Sequence, residues 1–356
     1  MRNKKQKLEF VSVGGQALME GIMMRGPGGL AMSLRLPDGT IETTNRTIKQ
    51  LKDKFKPFGW PLIRGFIGFI ESMVLGYKCL MESAEKTGFD SSGEEDMSRV
   101  DKWLTKHFGP KLMGVIGVIS AILGFGLAFL LFFWLPSFVF DTVDKTLTAD
   151  ILKFKVVFEG AIRIILFVSY MALVAMMKDI KRLYMYHGAE HKAIFCFESG
   201  EELTIENVRK QKRYHPRCGT SFIFVMIILS ILISSIIALA FPVLTNPVNR
   251  AWWMLVKLMI VPVIMSIGYE FIRYAGCHQN IFIKILSAPG LWMQRITTKE
   301  PPDDIIEIGI AALKAVLPKP ESEDIPVSIV NEEKTNENDS FANVVDDSGM
   351  PGTDTL

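Results

Sequence analysis

Four long apolar runs constrain this chain more than any other feature. No residue is charged between Leu112 and Phe140, and none between Cys218 and Asn249. Residues 156–177 are apolar apart from Glu159 and Arg163, and residues 251–272 apart from Lys257 and Glu270. A helix of about 20 apolar residues covers the hydrocarbon core of a bilayer. Inside that core every backbone polar group needs an internal partner, which helices and closed barrels alone provide. The expected fold is therefore mostly α, a polytopic helical membrane protein with about four transmembrane helices.

Basic residues set the expected orientation. The segment between the second and third runs holds Lys178, Lys181, Arg182, Lys192, Arg209, Lys210, Lys212, Arg213 and Arg217, and the loops at 141–155 and 244–250 hold far fewer. By the positive-inside rule this segment and both termini are expected in the cytoplasm. Trp252 and Trp253 mark an interface at one end of the fourth run. Lys257 lies close enough to that end to snorkel. The N-terminus, MRNKKQKLEF, is basic with no apolar stretch behind it, so no cleavable signal is expected.

The remaining sequence divides as follows. Residues 1–57 read as a small cytoplasmic β-rich module, because short alternating runs flank Pro37-Asp38-Gly39-Thr40, a hairpin signal. Residues 58–84 read as an interfacial or re-entrant helix. It is apolar but places Arg64, Glu71 and Lys78 on one face, and charge at bilayer depth is costly. A polar linker is expected over 85–111, then the transmembrane region over 112–274 with its loop at 178–217. Residues 275–317 read as interfacial and amphipathic segments, and 318–356 as a disordered acidic tail.

Charge and cysteines exclude some functions. A net charge of +2 over 356 residues gives no whole-chain nucleic-acid footprint, so no nucleic-acid partner is expected. Membrane lipids are the expected surroundings, and no protein partner is specified. Cys79, Cys196, Cys218 and Cys277 form neither a CxxC pair nor a disulfide framework, and packing thiols in a reducing compartment are expected.

Histidines carry the chemical signal. His187-Gly188-Ala189-Glu190-His191 places two imidazoles four residues apart, on one helix face about 6 Å from each other, a spacing that lets them share an ion. Glu190 then sits where a general base or an orienting carboxylate is needed. The H-x-x-E-H order is that of the inverted zinc hydrolases. The competing reading is a wet helix end where these groups pair with headgroups and backbone. A zinc site needs a third ligand. The candidates in order are Glu270, an acid in an apolar run, then His215, then His278, and Glu198 shares the face of His191 if the helix continues. Cys218 and His278 are further polar candidates at the ends of the third and fourth runs. Gln294 and Glu300 lie in a donor-rich stretch able to hold a headgroup or phosphate. Gln16, Glu20 and Arg25 are the polar residues of a glycine-rich stretch that can present amides to an anion but lacks the P-loop order.

The blocks GGQALMEGIMMRGP, MYHGAEHKAIFCFE, YHPRCGTSF and GLWMQRITTKEP resemble the YqhQ-like family of bacterial integral membrane proteins, from about Val11 to about Leu313. That family is a domain of unknown function described as predicted metal-dependent enzymes. The resemblance implies a bacterial inner-membrane location and strengthens the metal reading, and it names no reaction.

Two functions stand side by side. One is a metal-dependent hydrolase at the cytoplasmic membrane face, with His187 and His191 on a divalent cation, zinc being the expected ion, and a peptide or lipid-headgroup substrate. The other is a non-enzymatic scaffold or transport accessory whose His/Glu cluster is structural. A transporter path lined by Arg64, Glu71, Lys78, Lys257 and Glu270 is a third and lesser option, since no internal repeat is present.

Overall fold

The computed structural model describes residues 13–47, 51, 55–60, 63–88, 119–120, 122–146, 155–216, 218–245, 247–277 and 281–318. Residues 1–12, most of the 85–111 linker, His278 and all but the first residue of the 318–356 tail lie outside the described residues.

A four-stranded antiparallel meander comes first. It runs β1 (Gly14–Leu18), β2 (Gly21–Gly26), β3 (Gly29–Arg35) and β4 (Ile41–Arg46), with neighbours in sequence also neighbours in space. The Pro-Asp-Gly-Thr signal is the β3–β4 turn, with Arg35 opposite Ile41. Asp38 Oδ1 accepts from the Thr40 amide at 2.9 Å, and Gly39 takes φ +85°, which a Cβ would resist.

Most of β2 and β3 is buried on both faces, which accounts for their near-continuous apolar runs. Alternate side chains point opposite ways along a strand. Met23, Leu30, Met32 and Leu34 pack against Cys79 of α1 (Arg64–Lys86). Ile22, Met24 and Ala31 pack against Tyr186, Ala189 and Ala193 of α4 (Lys178–Glu198) and against the isoleucines of α9 (Asp303–Val316). The sheet is thus held between helices that arrive from distant parts of the chain.

Among the described residues, four helices are long and apolar enough to cross a membrane: α2 (Ile122–Thr146), α3 (Lys155–Val174), the Phe222–Ala240 part of α6 (Gly219–Ala240) and the Ala251–Phe271 part of α7 (Arg250–Cys277). Their outer surfaces expose Leu127, Leu173, Ile236 and Leu239, as lipid-facing surfaces do. Residues 64–86 form one continuous helix that is not among the four spans, in keeping with its charged face. A short helix, α5 (Ile205–Lys210), follows α4. Another, α8 (Ile281–Thr297), continues through Pro289 and packs against α6.

Charges inside the bundle are paired. Glu159 of α3 meets Lys257 of α7, Arg163 at 3.3 Å and Ser137 of α2 at 2.7 Å, and Lys155 meets Asp141 at 3.1 Å. Arg163 also donates to the carbonyl of Phe132 at 2.8 Å, within the π-helical turn Leu130–Trp134 of α2. A π-turn leaves carbonyls off the regular ladder, and here one of them accepts from the guanidinium. Lys257 therefore does not snorkel to the surface. It turns inward and is 5% exposed, with its ammonium paired to the buried Glu159 carboxylate.

Candidate metal centre

α4 positions the centre. It starts after Met177, whose backbone is extended, with Asp179 in its first turn. It ends at Ser199, followed by Gly200 at φ +72°, where the amides of Ser199 and Gly200 return to the carbonyls of Phe195 and Phe197. His187 and His191 project from one face of this helix with ring centroids 4.4 Å apart.

The third donor comes from the N-terminal boundary of α6. His187, His191 and Cys218 form a group whose possible ligand atoms all lie within 4.8 Å of one another. His187 Nε2 is 3.1 Å from Cys218 Sγ. Each imidazole is fixed by its other nitrogen: His187 Nδ1 is 2.9 Å from the Thr297 carbonyl, and His191 Nδ1 is 2.5 Å from the Arg213 carbonyl. A carbonyl accepts only, so both rings carry their proton on Nδ1 and turn Nε2 inward. Metal-binding histidines are commonly oriented in this way. Tetrahedral zinc with two nitrogen ligands and one sulfur separates its donors by about 3.3–3.6 Å. The donor types suit a zinc ion; the His187–Cys218 pair at 3.1 Å would have to open slightly, and any pair near the 4.8 Å bound would have to close.

A brace surrounds the trio. Gln294 of α8 accepts from the His215 amide at 2.7 Å and donates to the His215 carbonyl at 2.8 Å, which ties the segment between α5 and α6 to α8. The His215 ring packs edge-on to Phe195 at 4.7 Å and meets Glu198 at 3.4 Å. Burial pushes its imidazole down to about 4, against the pull of the Glu190 charge. Lys192, fully inside, donates to the Arg209 carbonyl at 2.8 Å and pairs with Glu300, which also meets Arg213 at 3.2 Å. Chain 297–301 crosses α4 so closely that a Cβ on Gly188 would lie 2.1 Å from the Lys299 carbonyl oxygen. That approach lets the Lys299 amide reach the Tyr184 carbonyl at 2.8 Å and sets the Thr297 carbonyl against His187.

Glu190 is buried between α4 and β1. Burial raises its carboxyl above the ordinary range, opposed by the charges of His187 and His215 and by a hydrogen bond from the Gly15 amide. A Cβ on Gly15 would come within 3.2 Å of the Glu190 carboxyl carbon. The glycine-rich stretch does present an amide to an anion, and that anion is the chain's own Glu190.

The other candidate residues have different surroundings. Glu270, first in the sequence ranking for a third ligand, makes a two-pronged ion pair with Arg64 at 2.5 and 2.6 Å and is outside the trio. It joins α7 to α1. A guanidinium matches a carboxylate in plane and in charge, which explains the pairing. The proposed path of charges also divides: Arg64 meets Glu270 while Lys257 meets Glu159, and positions 257 and 270 are about 20 Å apart along one helix. Glu20 pairs with Arg182 and accepts from Tyr186 at 2.9 Å, Gln16 packs against Gly76 of α1, and Arg25 lies on β2 opposite Gly14 and Leu30. Sequence reasoning missed the carbonyls of Thr297 and Arg213 and the bracing role of Gln294. Backbone carbonyls leave no trace in residue identity.

A family profile described as "Protein of unknown function (DUF1385)" matches residues 60–319. The chain belongs to this family. It is 32% identical over 315 residues to a relative named "Uncharacterized protein YqhQ" from Bacillus subtilis (strain 168), spanning 85% of this chain and 92% of the relative. No solved structure matches the chain. The DUF1385 match contains the whole trio, Glu190 and Gln294, and it begins after the sheet, whose last strand ends at Arg46.

Proposed function

We propose that this membrane protein is a metal-dependent hydrolase working at the cytoplasmic face of the bacterial inner membrane. The supporting observation is the inward convergence of His187, His191 and Cys218, with both Nδ1 atoms already committed to backbone carbonyls. These three residues would hold a zinc ion and leave one position open, the arrangement of catalytic rather than structural sites. Bound there, the ion supplies Lewis-acid activation of water and of the scissile group. Glu190 follows the inverted zinc-hydrolase order and would take the proton from water and return it to the leaving group. Gly15 holds that carboxylate in place. Gln294 keeps the Cys218 segment from drifting, and the crossing chain at Lys299 keeps His187 in its rotamer.

A scaffold reading has one observation in its favour: the 3.1 Å contact of His187 with Cys218 is already a hydrogen bond and needs no ion. Elemental analysis of the full chain purified in detergent separates the two. The hydrolase reading expects about one zinc per chain, lost in His187→Ala/His191→Ala. No bound metal, with none taken up on adding zinc, overturns it.

A further inference from the structure

Residues next in sequence to Arg213, His215 and Gln294 line an open groove of about 620 Å³. Lys212, Tyr214 and Arg295 supply its polar wall, and Pro289, Leu291 and Trp292 its apolar one. Two features set it apart. First, among the described residues its cations meet no carboxylate while their neighbours do. Arg209 meets Asp303, Lys210 meets Glu206, and Lys192 and Arg213 share Glu300. Among the described residues neither Lys212 nor Arg295 meets a carboxylate. Second, the apolar wall runs into an exposed apolar face of α8, where Ile281, Ile285 and Trp292 are each more than half exposed. Two cations at the edge of an exposed apolar surface, with a tryptophan lining the same groove, complement an anionic head joined to an apolar tail. The volume suits a headgroup with the first part of its chains.

The polar wall adjoins the brace of the trio along the chain. Tyr214 lies between Arg213, whose carbonyl holds His191, and His215. Arg295 follows Gln294, which holds His215. A molecule lodged between Lys212 and Arg295 is therefore one residue away, along both chain segments, from the groups that position the donors.

We propose that this groove binds the phosphate head of an anionic membrane lipid drawn from the leaflet beside α8, and presents it to the trio as substrate. The role as substrate rests on the hydrolase reading; the binding does not. The test uses the full chain in vesicles that contain dibrominated phosphatidylglycerol or dibrominated phosphatidylcholine, read by tryptophan quenching. Greater quenching by the phosphatidylglycerol is expected, with Trp292→Phe removing the difference. Lys212→Gln/Arg295→Gln should weaken the preference by about fivefold per cation, and Lys212→Arg/Arg295→Lys should keep it. Equal quenching by the two lipids, or a preference that survives neutralisation, overturns the proposal. So does displacement by millimolar inorganic phosphate, which would show a site for the free ion. Zinc content measured on the same samples keeps the readings apart. Lipid preference without zinc sinks the hydrolase and leaves the groove, and zinc without lipid preference does the reverse.

Discussion

His187 Nε2 stands 3.1 Å from Cys218 Sγ, across 31 residues of chain. The two belong to different helices, and their meeting depends on the turn from His215 to Cys218, where the Cys218 amide reaches the His215 carbonyl at 3.3 Å. With His191 one turn further along α4, this contact converts a two-histidine motif into a three-donor group.

The first prediction separates Cys218 from Glu270 as ligands. Cys218→Ser should lower zinc affinity by about 10–100-fold or more, since losing a direct ligand costs at least what losing an outer-shell partner does. Glu270→Gln should leave zinc content at the wild-type value, because that carboxylate is engaged by Arg64. Zinc per chain, measured after dialysis against a weak chelator, reads both. Loss of zinc in Glu270→Gln would refute the assignment.

Gly188→Ala should harm the centre without touching a donor atom. The new Cβ would lie 2.1 Å from a backbone oxygen that cannot move alone, so residues 297–301 must shift. Overpacking of this kind costs about 1–3 kcal/mol. A lower thermal-inactivation temperature in detergent together with weaker zinc binding is expected. Unchanged values in both would show that the crossing segment is loosely held.

Gln294→Ala should also act at a distance. It strands a buried amide and a buried carbonyl of His215, at about 1–3 kcal/mol for each group left unsatisfied. Gln294→Glu retains the acceptor for the amide and loses the donor, so it should fall between wild type and alanine. Thermal inactivation of the three proteins tests the order.

Acid should loosen the turn between β1 and β2 from α4. Burial raises the Glu20 carboxyl, but hydrogen bonds from Arg182 and Tyr186, with the charge of Arg182, outweigh it and hold the group below its usual 4.5. A carboxyl depressed in the folded state contributes stability above 4.5, and that contribution is lost as pH falls below it toward the folded value. Arg182 is 45% exposed, so solvent screening keeps the effect modest. The gap in thermal stability between wild type and Glu20→Gln should be present at pH 7 and close as pH falls below 4.5. A gap independent of pH would contradict the ion pair.

Much of the architecture was legible in local pattern. The long apolar runs predict the spans because hydrocarbon admits few charges, and Pro37-Asp38-Gly39-Thr40 predicts its hairpin because few residues accept that turn. The site was legible only in part. His187 and His191 lie four apart on one helix, so their alignment follows from helical geometry alone. Cys218 was visible as a polar candidate but not as the third donor. Glu270 looked the stronger because an acid in an apolar run attracts notice, and its partner Arg64 lies 206 residues away.

The sequence by itself determined which segments can be buried in lipid and which two imidazoles share a face, because both follow from periods of a few residues. Only the tertiary structure decided where each charge finds its counter-charge, which carbonyls turn the imidazoles inward and which sulfur meets them. Those outcomes depend on how distant helices pack, and packing is settled by the shape and partners of the whole core, which no local window contains.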